Sequence, residues 1–228
     1  MGIGIIVPII LLIASYLLGS IPSALIIGKT FKGVDVREHG SKNMGTTNTL
    51  RVLGLRCALA VFFLDALKAS IIVLLFSTGL LNYEAKWMVI KIHPLICGMV
   101  AIIGHAFPIF ADFKGGKGIA CSAGVAIAFC PDIFLIAITV FFIILLITKY
   151  VSLSSILGVT TAFICSFFKT KNGQIDWVFV ICVFIILVFI IIMHRKNIVK
   201  LFKKQESKID LINILKQKLS KKKNSNQK

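Results

Sequence analysis

Acidic residues are scarce in this chain, with nine Asp and Glu against 26 Lys and Arg in 228 residues. No CxxC pair occurs. The six cysteines (Cys57, Cys97, Cys121, Cys130, Cys165 and Cys182) all fall in apolar runs, which argues against a disulfide framework or thiolate metal site and for packing. His39, His93, His105 and His194 show neither HExxH nor another metal-ligand spacing, so no metal is expected. The turn Gly115–Gly118 is not a nucleotide P-loop, because Lys117 is followed by Gly118 and Ile119 and not by the hydroxyl residue that holds magnesium. No histidine has Asp at the fifth position after it, and His105 precedes Asp112 by seven residues, so the His-x4-Asp catalytic pair is missing as well. Neither a basic residue nor a cleavage site brackets the first apolar run, Ile3 to Leu18, which therefore reads as a retained span and not a signal peptide.

What the chain has instead is apolar sequence, 57% of its residues. A soluble domain of this length has too little interior to hide it. Several runs approach the roughly 18 to 20 apolar residues that cross a bilayer. The runs 3–27, 52–76, 88–108, 119–130, 133–148, 156–168 and 177–193 give an all-α, polytopic membrane protein of about seven helices. Pro131-Asp132 separates the fourth run from the fifth, and the fourth and sixth are short, so merging or re-entry would reduce the count to five or six. With the N-terminus outside and the C-terminus cytoplasmic, the inner segments hold 21 basic residues. The outer segments hold four: Lys86, Lys91, Lys169 and Lys171. That bias sets the expected orientation.

Residues 1–205 read as one membrane domain and 206–228 as a basic cytoplasmic tail. The tail spaces Ile209, Ile212, Leu215 and Leu219 as on one helix face and continues into Lys221-Lys222-Lys223. This is either a weak amphipathic helix for an anionic leaflet or a solvated tail that enforces topology.

Polar chemistry collects on the expected inner side, in four clusters. They are Gly40 to Arg51, Gly104 to Gly118, Tyr150 to Ser155, and His194 to Asn197. Glycines let backbone N–H groups approach an anion, and the helix start that follows adds free donors and positive dipole. Lys114 and Lys117 add full charges, so phosphate or a phosphate ester is the expected ligand. A plain positive-inside connector would also contain Gly and Lys, but it leaves the other three clusters unexplained. Asp65 and Lys68, three apart in the second run, read as a buried ion pair that holds this helix against its neighbours.

At these clusters the chain resembles the bacterial acyl-phosphate:glycerol-3-phosphate acyltransferase family. The resemblance rests on GSKNMGTTNTLR at 40–51, GHAFPIFADFKGGKG at 104–118, YVSLSSI at 150–156 and HRKNIVKLFKKQESK at 194–208. GSIPSA at 19–24 and the Asp65/Lys68 pair also fit. Thr46, Ala69, Lys200 and Lys204 depart from the usual family residues without removing a polar group assigned to substrate.

The resemblance implies transfer of a fatty acyl group from acyl phosphate to the 1-hydroxyl of sn-glycerol 3-phosphate, giving lysophosphatidic acid and phosphate. This would be the first acylation of phospholipid synthesis, performed without a cofactor in the bacterial cytoplasmic membrane, with the site facing the cytoplasm. Ser41, Arg51, Lys117 and His194 are the implied catalytic residues. Asn43, Thr47, Asn48, Lys114, Gly115, Gly116, Gly118, Ser154, Ser155 and Asn197 are the implied substrate-binding set. Expected partners are the two substrates, membrane lipid and, by resemblance, the soluble enzyme that forms acyl phosphate; nucleic acid is not among them. A transporter of a phosphorylated anion is the competing class. The absence of an inverted repeat, and of a matching polar cluster on the outer side, weighs against it.

Overall fold

The computed structural model describes residues 2–81, 91–210 and 212–213. The first apolar run does not form one straight helix. α1 (Gly2–Gly19) stops before Pro22, and α2 (Ser23–Lys32) resumes the same direction of sequence after it. Proline removes a backbone donor and restricts the residue before it, so the chain breaks at Ile21-Pro22. Lys32 is followed by Gly33 in the left-handed region, which closes α2 by accepting no side-chain strain there.

The second run also differs from its expected limits. α3 (Thr46–Leu53) is a separate short helix, and Gly54 turns the chain into α4 (Leu55–Ser77). α5 (Pro94–Ala106) starts with Pro at its first position, where the missing donor costs least. A single 3-10 turn at Ile109–Ala111 and the Gly-Lys loop lead to α6 (Ile119–Phe129). α7 (Pro131–Thr148) again begins on proline, and Lys149 ends it in the left-handed conformation. α8 (Val151–Ser166) begins several residues before the expected 156, so Ser152, Ser154 and Ser155 belong to its first turns. A short hairpin, β1 (Thr170–Lys171) paired antiparallel with β2 (Gln174–Ile175), joins α8 to α9 (Trp177–Met193). Asp176 caps α9 by accepting from Phe179 N–H at 3.1 Å. The chain then bends by 61° at His194 into α10 (Arg195–Phe202).

Among the described residues, four stretches are long and apolar enough to cross a membrane: Gly4–Lys32, Leu55–Ser77, Pro94–Ala111 and Pro131–Thr148. The bent pair α9–α10 makes a fifth if taken as one broken span, while Ile119–Phe129 and Val151–Ser166 are apolar but shorter. The interior is built mainly from α4, α5, α6 and α9, through Val73, Leu95, Ile102, Cys121, Val125, Phe179, Ile186 and Ile190. α7 buries only Ile133 and Leu145, and Leu135, Ile136, Leu146 and Ile147 stay exposed. A helix that is apolar from Ile133 to Ile147 apart from Thr139, with so little of its surface inside the protein, faces lipid.

α4 crosses α6 at backbone contact. A Cβ at Gly124 would stand 2.0 Å from the Ala66 carbonyl oxygen, so the two backbones meet with no side chain between them. Gly124→Ala must push this crossing apart. The expected cost is about 1–3 kcal/mol, as for other overpacked interiors, and a lowered melting temperature in detergent measures it.

Candidate functional site

The described residues gather polar side chains at one end of the bundle. Here the N-termini of α3, α6 and α8 meet the C-termini of α5 and α9, with Phe62 and Asp65 of α4, around a cavity of about 510 Å3.

The first wall is the loop 33–45 with the start of α3. Asn48, only 1% exposed, organises it. Its Oδ1 accepts from Ser41 N–H at 2.8 Å, and its Nδ2 donates to the carbonyls of Val36 (2.9 Å) and His39 (3.1 Å). One amide thus satisfies three backbone groups that a loop would leave open. Asp35 adds a second anchor through Arg37, whose guanidinium also reaches Asp112 Oδ2 at 3.2 Å on the facing loop. Arg37 holds the Asp35 carboxyl down at about 2. The N–H groups of Asn48 and Thr49 turn back to Gly45 O, whereas those of Thr46 and Thr47 precede any acceptor in the helix. Ser41, Asn43, Thr47 and Arg51 line the cavity beside them.

The second wall is the Gly-Lys loop. Asp112 and Phe113 both have positive φ, and Phe113 N–H donates to Pro108 O at 3.0 Å, which folds the chain back before Lys114. Gly118, at φ 86°, is the N-cap of α6, a backbone state that a side chain resists. Lys117 enters the cavity and donates to Asn197 Oδ1 at 2.6 Å. Burial pushes its ammonium from 10.5 down to about 8; Glu206 opposes the shift, and Arg51 and Lys200 add to it.

His194, Asn197 and Lys200 close the third side, at the bend between α9 and α10. His194 is 3% exposed, with Nδ1 2.9 Å from the Ile190 carbonyl. A carbonyl only accepts, so this nitrogen carries the proton and Nε2 is left for a ligand.

Of the residues expected from sequence, the structure brings Ser41, Asn43, Thr47, Asn48, Arg51, Lys117, Gly118, Ser155, His194 and Asn197 to one cavity. It does not bring Lys114, Gly115, Gly116 or Ser154 to its wall. Lys114 is exposed, and Ser154 is fully buried with its hydroxyl donating to Tyr150 O at 2.8 Å. Gly115 and Gly116 lie against the end of α5, where Gly116 N–H donates to His105 O at 3.1 Å.

Glu206 was not anticipated. Its Oε1 accepts from Asn197 Nδ2 at 2.7 Å and from Ser152 Oγ at 2.9 Å. Residues 206–210, read from sequence as the beginning of the tail, lie against the α7–α8 turn. Ile209 N–H donates to Lys149 O at 2.8 Å, and Lys149 pairs with Asp210. Ile209 is 7% exposed and outside any helix, while Leu215, Leu219 and Lys221 to Lys223 lie outside the described residues. The one available signal was rarity, since Glu206 is an acid inside the most basic stretch of an acid-poor chain.

A second, apolar groove of about 340 Å3 runs from the cavity between α6, α7, α8 and α9, lined by Ala126, Phe134, Ala137, Ile138, Val159 and Ile186. Thr46, Phe62, Ile119, Phe141 and Ser155 line both spaces. A polar cavity lined by Arg51, Lys117 and Lys200 that continues into an apolar groove, in a bundle of membrane-length helices, defines an integral membrane protein with a basic site at one end of the bundle.

The comparisons with known proteins agree with that class. The family model described as glycerol-3-phosphate acyltransferase matches residues 9–204. The glycerol-3-phosphate acyltransferase of Bacillus subtilis (strain 168) is 44% identical over 200 residues, covering 88% of this chain and 96% of the relative. That of Listeria monocytogenes serovar 1/2a is 43% identical over 201 residues, with the same coverage. The crystal structure of PlsY (YgiH), an integral membrane glycerol 3-phosphate acyltransferase, in its glycerol 3-phosphate form, superposes with a TM-score of 0.78 at 36% identity. The match covers 91% of this chain and 98% of that one. The lysophosphatidic acid form of PlsY gives 0.76 at 34% identity, over 91% and 97%. The chain belongs to the glycerol-3-phosphate acyltransferase family.

The depressed Lys117 has a direct consequence. Above about pH 8 the free protein loses this ammonium, and an anion that binds must restore the proton, so affinity falls as pH rises. The KM for glycerol 3-phosphate, followed from pH 6.5 to 9.5, is expected to climb above about 8. Lys117→Arg, which stays charged throughout, should flatten that limb.

Proposed function

We propose that this protein transfers a fatty acyl group from acyl phosphate to the 1-hydroxyl of sn-glycerol 3-phosphate, releasing lysophosphatidic acid and inorganic phosphate. The observation that carries this reading is the continuity of the anion cavity with the apolar groove through Thr46, Phe62, Ile119, Phe141 and Ser155. The cavity takes the phosphates and the groove takes the acyl chain. Arg51 and Lys117, with Ser41, hold the phosphate of glycerol 3-phosphate. Asn43, Thr47, Ser155 and the backbone at Gly118 and the start of α3 receive the acyl phosphate and polarise its carbonyl. His194 and Asn197 close the pocket floor.

Acyl phosphate is a mixed anhydride, already activated, so alignment of the two substrates supplies much of the acceleration. The 1-hydroxyl oxygen adds to the acyl carbonyl, and the charge that develops on the carbonyl oxygen is met by N–H and hydroxyl donors. The bond from acyl carbon to phosphate oxygen then breaks. The hydroxyl proton passes to an oxygen of the departing phosphate, so no side-chain base is required. A covalent route through Ser41 is less favoured, because no base is bonded to its hydroxyl among the described contacts.

The excess of basic residues in the loops at the cavity end supports a cytoplasmic site in the bacterial cytoplasmic membrane. Transport of a phosphorylated anion is the weaker reading, since the cavity with its basic and amide side chains lies at the end of the bundle where α6 and α8 begin and α9 ends.

Purified protein in detergent should release phosphate from palmitoyl phosphate only when glycerol 3-phosphate is present. Arg51→Ala and Lys117→Ala should each lower turnover by about 100-fold or more, as expected for loss of a charged group that positions substrate. Turnover with acyl-CoA and none with acyl phosphate would refute the donor. An acyl-enzyme trapped on Ser41 would refute the direct transfer.

A further inference from the structure

One set of interior charged groups has no part in the reaction as derived: Asp65, Lys68 and His105, which are 1%, 6% and 6% exposed. Asp65 Oδ1 lies 2.8 Å from Lys68 Nζ and 3.5 Å from His105 Nδ1. Neither carboxylate oxygen accepts an aligned hydrogen bond among the described residues, so the Lys68 contact is an ion pair and the longer His105 contact is electrostatic without an aligned bond. The ammonium spends its aligned bond elsewhere, donating to Ile21 O at 2.6 Å.

The imidazole leads away from this pair toward the Gly-Lys loop. A Cβ at Gly116 would stand 2.0 Å from His105 Nε2, so the ring lies flush on that glycine. The carbonyl of the same histidine accepts Gly116 N–H at 3.1 Å. A Cβ at Gly115 would meet the same carbonyl oxygen at 2.0 Å. The next residue is Lys117, whose ammonium is fixed at its far end by Asn197. Asp65 and His105 themselves reach the cavity wall beside Lys117.

We propose that Asp65 and His105 are positioning residues for Lys117: the carboxylate orients the imidazole, and the imidazole sets the height of the Gly115–Gly116 backbone that carries the lysine. A clamp between helices needs Asp65, Lys68 and the Ile21 carbonyl. It does not need an imidazole seated on Gly116, and that contact is what assigns the second role. The inference rests on Lys117 binding the phosphate of glycerol 3-phosphate. A lysine displaced by a fraction of an ångström loses that phosphate while leaving the acyl groove intact.

The test is a split between the two substrates. Asp65→Asn and His105→Gln keep shape and remove the charge or the ring, and each should raise the KM for glycerol 3-phosphate about tenfold. The KM for palmitoyl phosphate should change little in either variant; the melting temperature should hold in His105→Gln and fall in Asp65→Asn, which leaves the buried Lys68 without its countercharge. The double variant should be no worse than the worse single one, because both act along one line of contact. Equal increases for both substrates, multiplicative effects in the double variant, or an unchanged KM for glycerol 3-phosphate would overturn the proposal. If neither helix variant folds, Gly116→Ala, in the loop, must show the same split, and its failure to do so is equally decisive. Lys117→Ala separates the two claims: an unchanged KM there removes the phosphate role itself, whereas a raised KM there beside unaffected Asp65 and His105 variants removes only the positioning.

Discussion

The buried contact between Asp65 and Lys68 is the constraint around which the rest of this structure is arranged. A charge in the apolar interior is costly unless it is paired and its remaining polar atoms are used. Lys68 meets both demands, since its ammonium neutralises Asp65 and donates to the Ile21 carbonyl. That carbonyl lies at the break between α1 and α2, where Pro22 interrupts the helix. One ammonium therefore compensates a charge in α4 and a backbone defect in the first span. His105 brings the end of α5 to the same carboxylate, so three chain segments are held to one another by ionic and polar contacts inside an otherwise apolar bundle.

From that centre the architecture sorts its chemistry by depth. Beyond the charged group lie Val73, Leu95, Val125 and Phe179, a dry interior with backbones in contact at Gly124. On the other side lie helix ends, glycine turns and the cavity. Helix N-termini carry unsatisfied N–H groups, which bind anions well and bury badly. Collecting several of them at one end solves both problems together. Glu206 completes the balance: its carboxylate among Lys117, Lys200 and Arg51 limits their mutual repulsion and ties α8 to α10 through Ser152 and Asn197.

Much of this was legible in the sequence because membranes impose long, composition-driven signals. The apolar runs fixed which segments become helices, and α6, α7 and α9 begin and end within a few residues of expectation. Local geometry was harder. The first run contains a break because Ile21-Pro22 acts locally, whereas hydropathy averages over the whole run. α8 starts early because Ser152, Ser154 and Ser155 return their hydroxyls to the cavity wall or to the preceding turn, which makes polar residues compatible with helix. Asn48 looks like a ligand in a Gly-Ser-Asn-Thr cluster, and in the fold all of its amide is committed to Val36, His39 and Ser41.

The sequence by itself determined the class of molecule, its predominantly helical character, the four polar clusters and the ion pair in α4, because each follows from composition or from spacing within one helix. Only the tertiary structure decided which members of those clusters meet. Lys114 and Ser154 turn away while Lys117 and Ser155 reach the cavity. His105 joins Asp65 across two helices, and Glu206 returns from the chain's far end to close the site. Such convergence depends on how helix ends stack in space, and no periodicity along the chain encodes it.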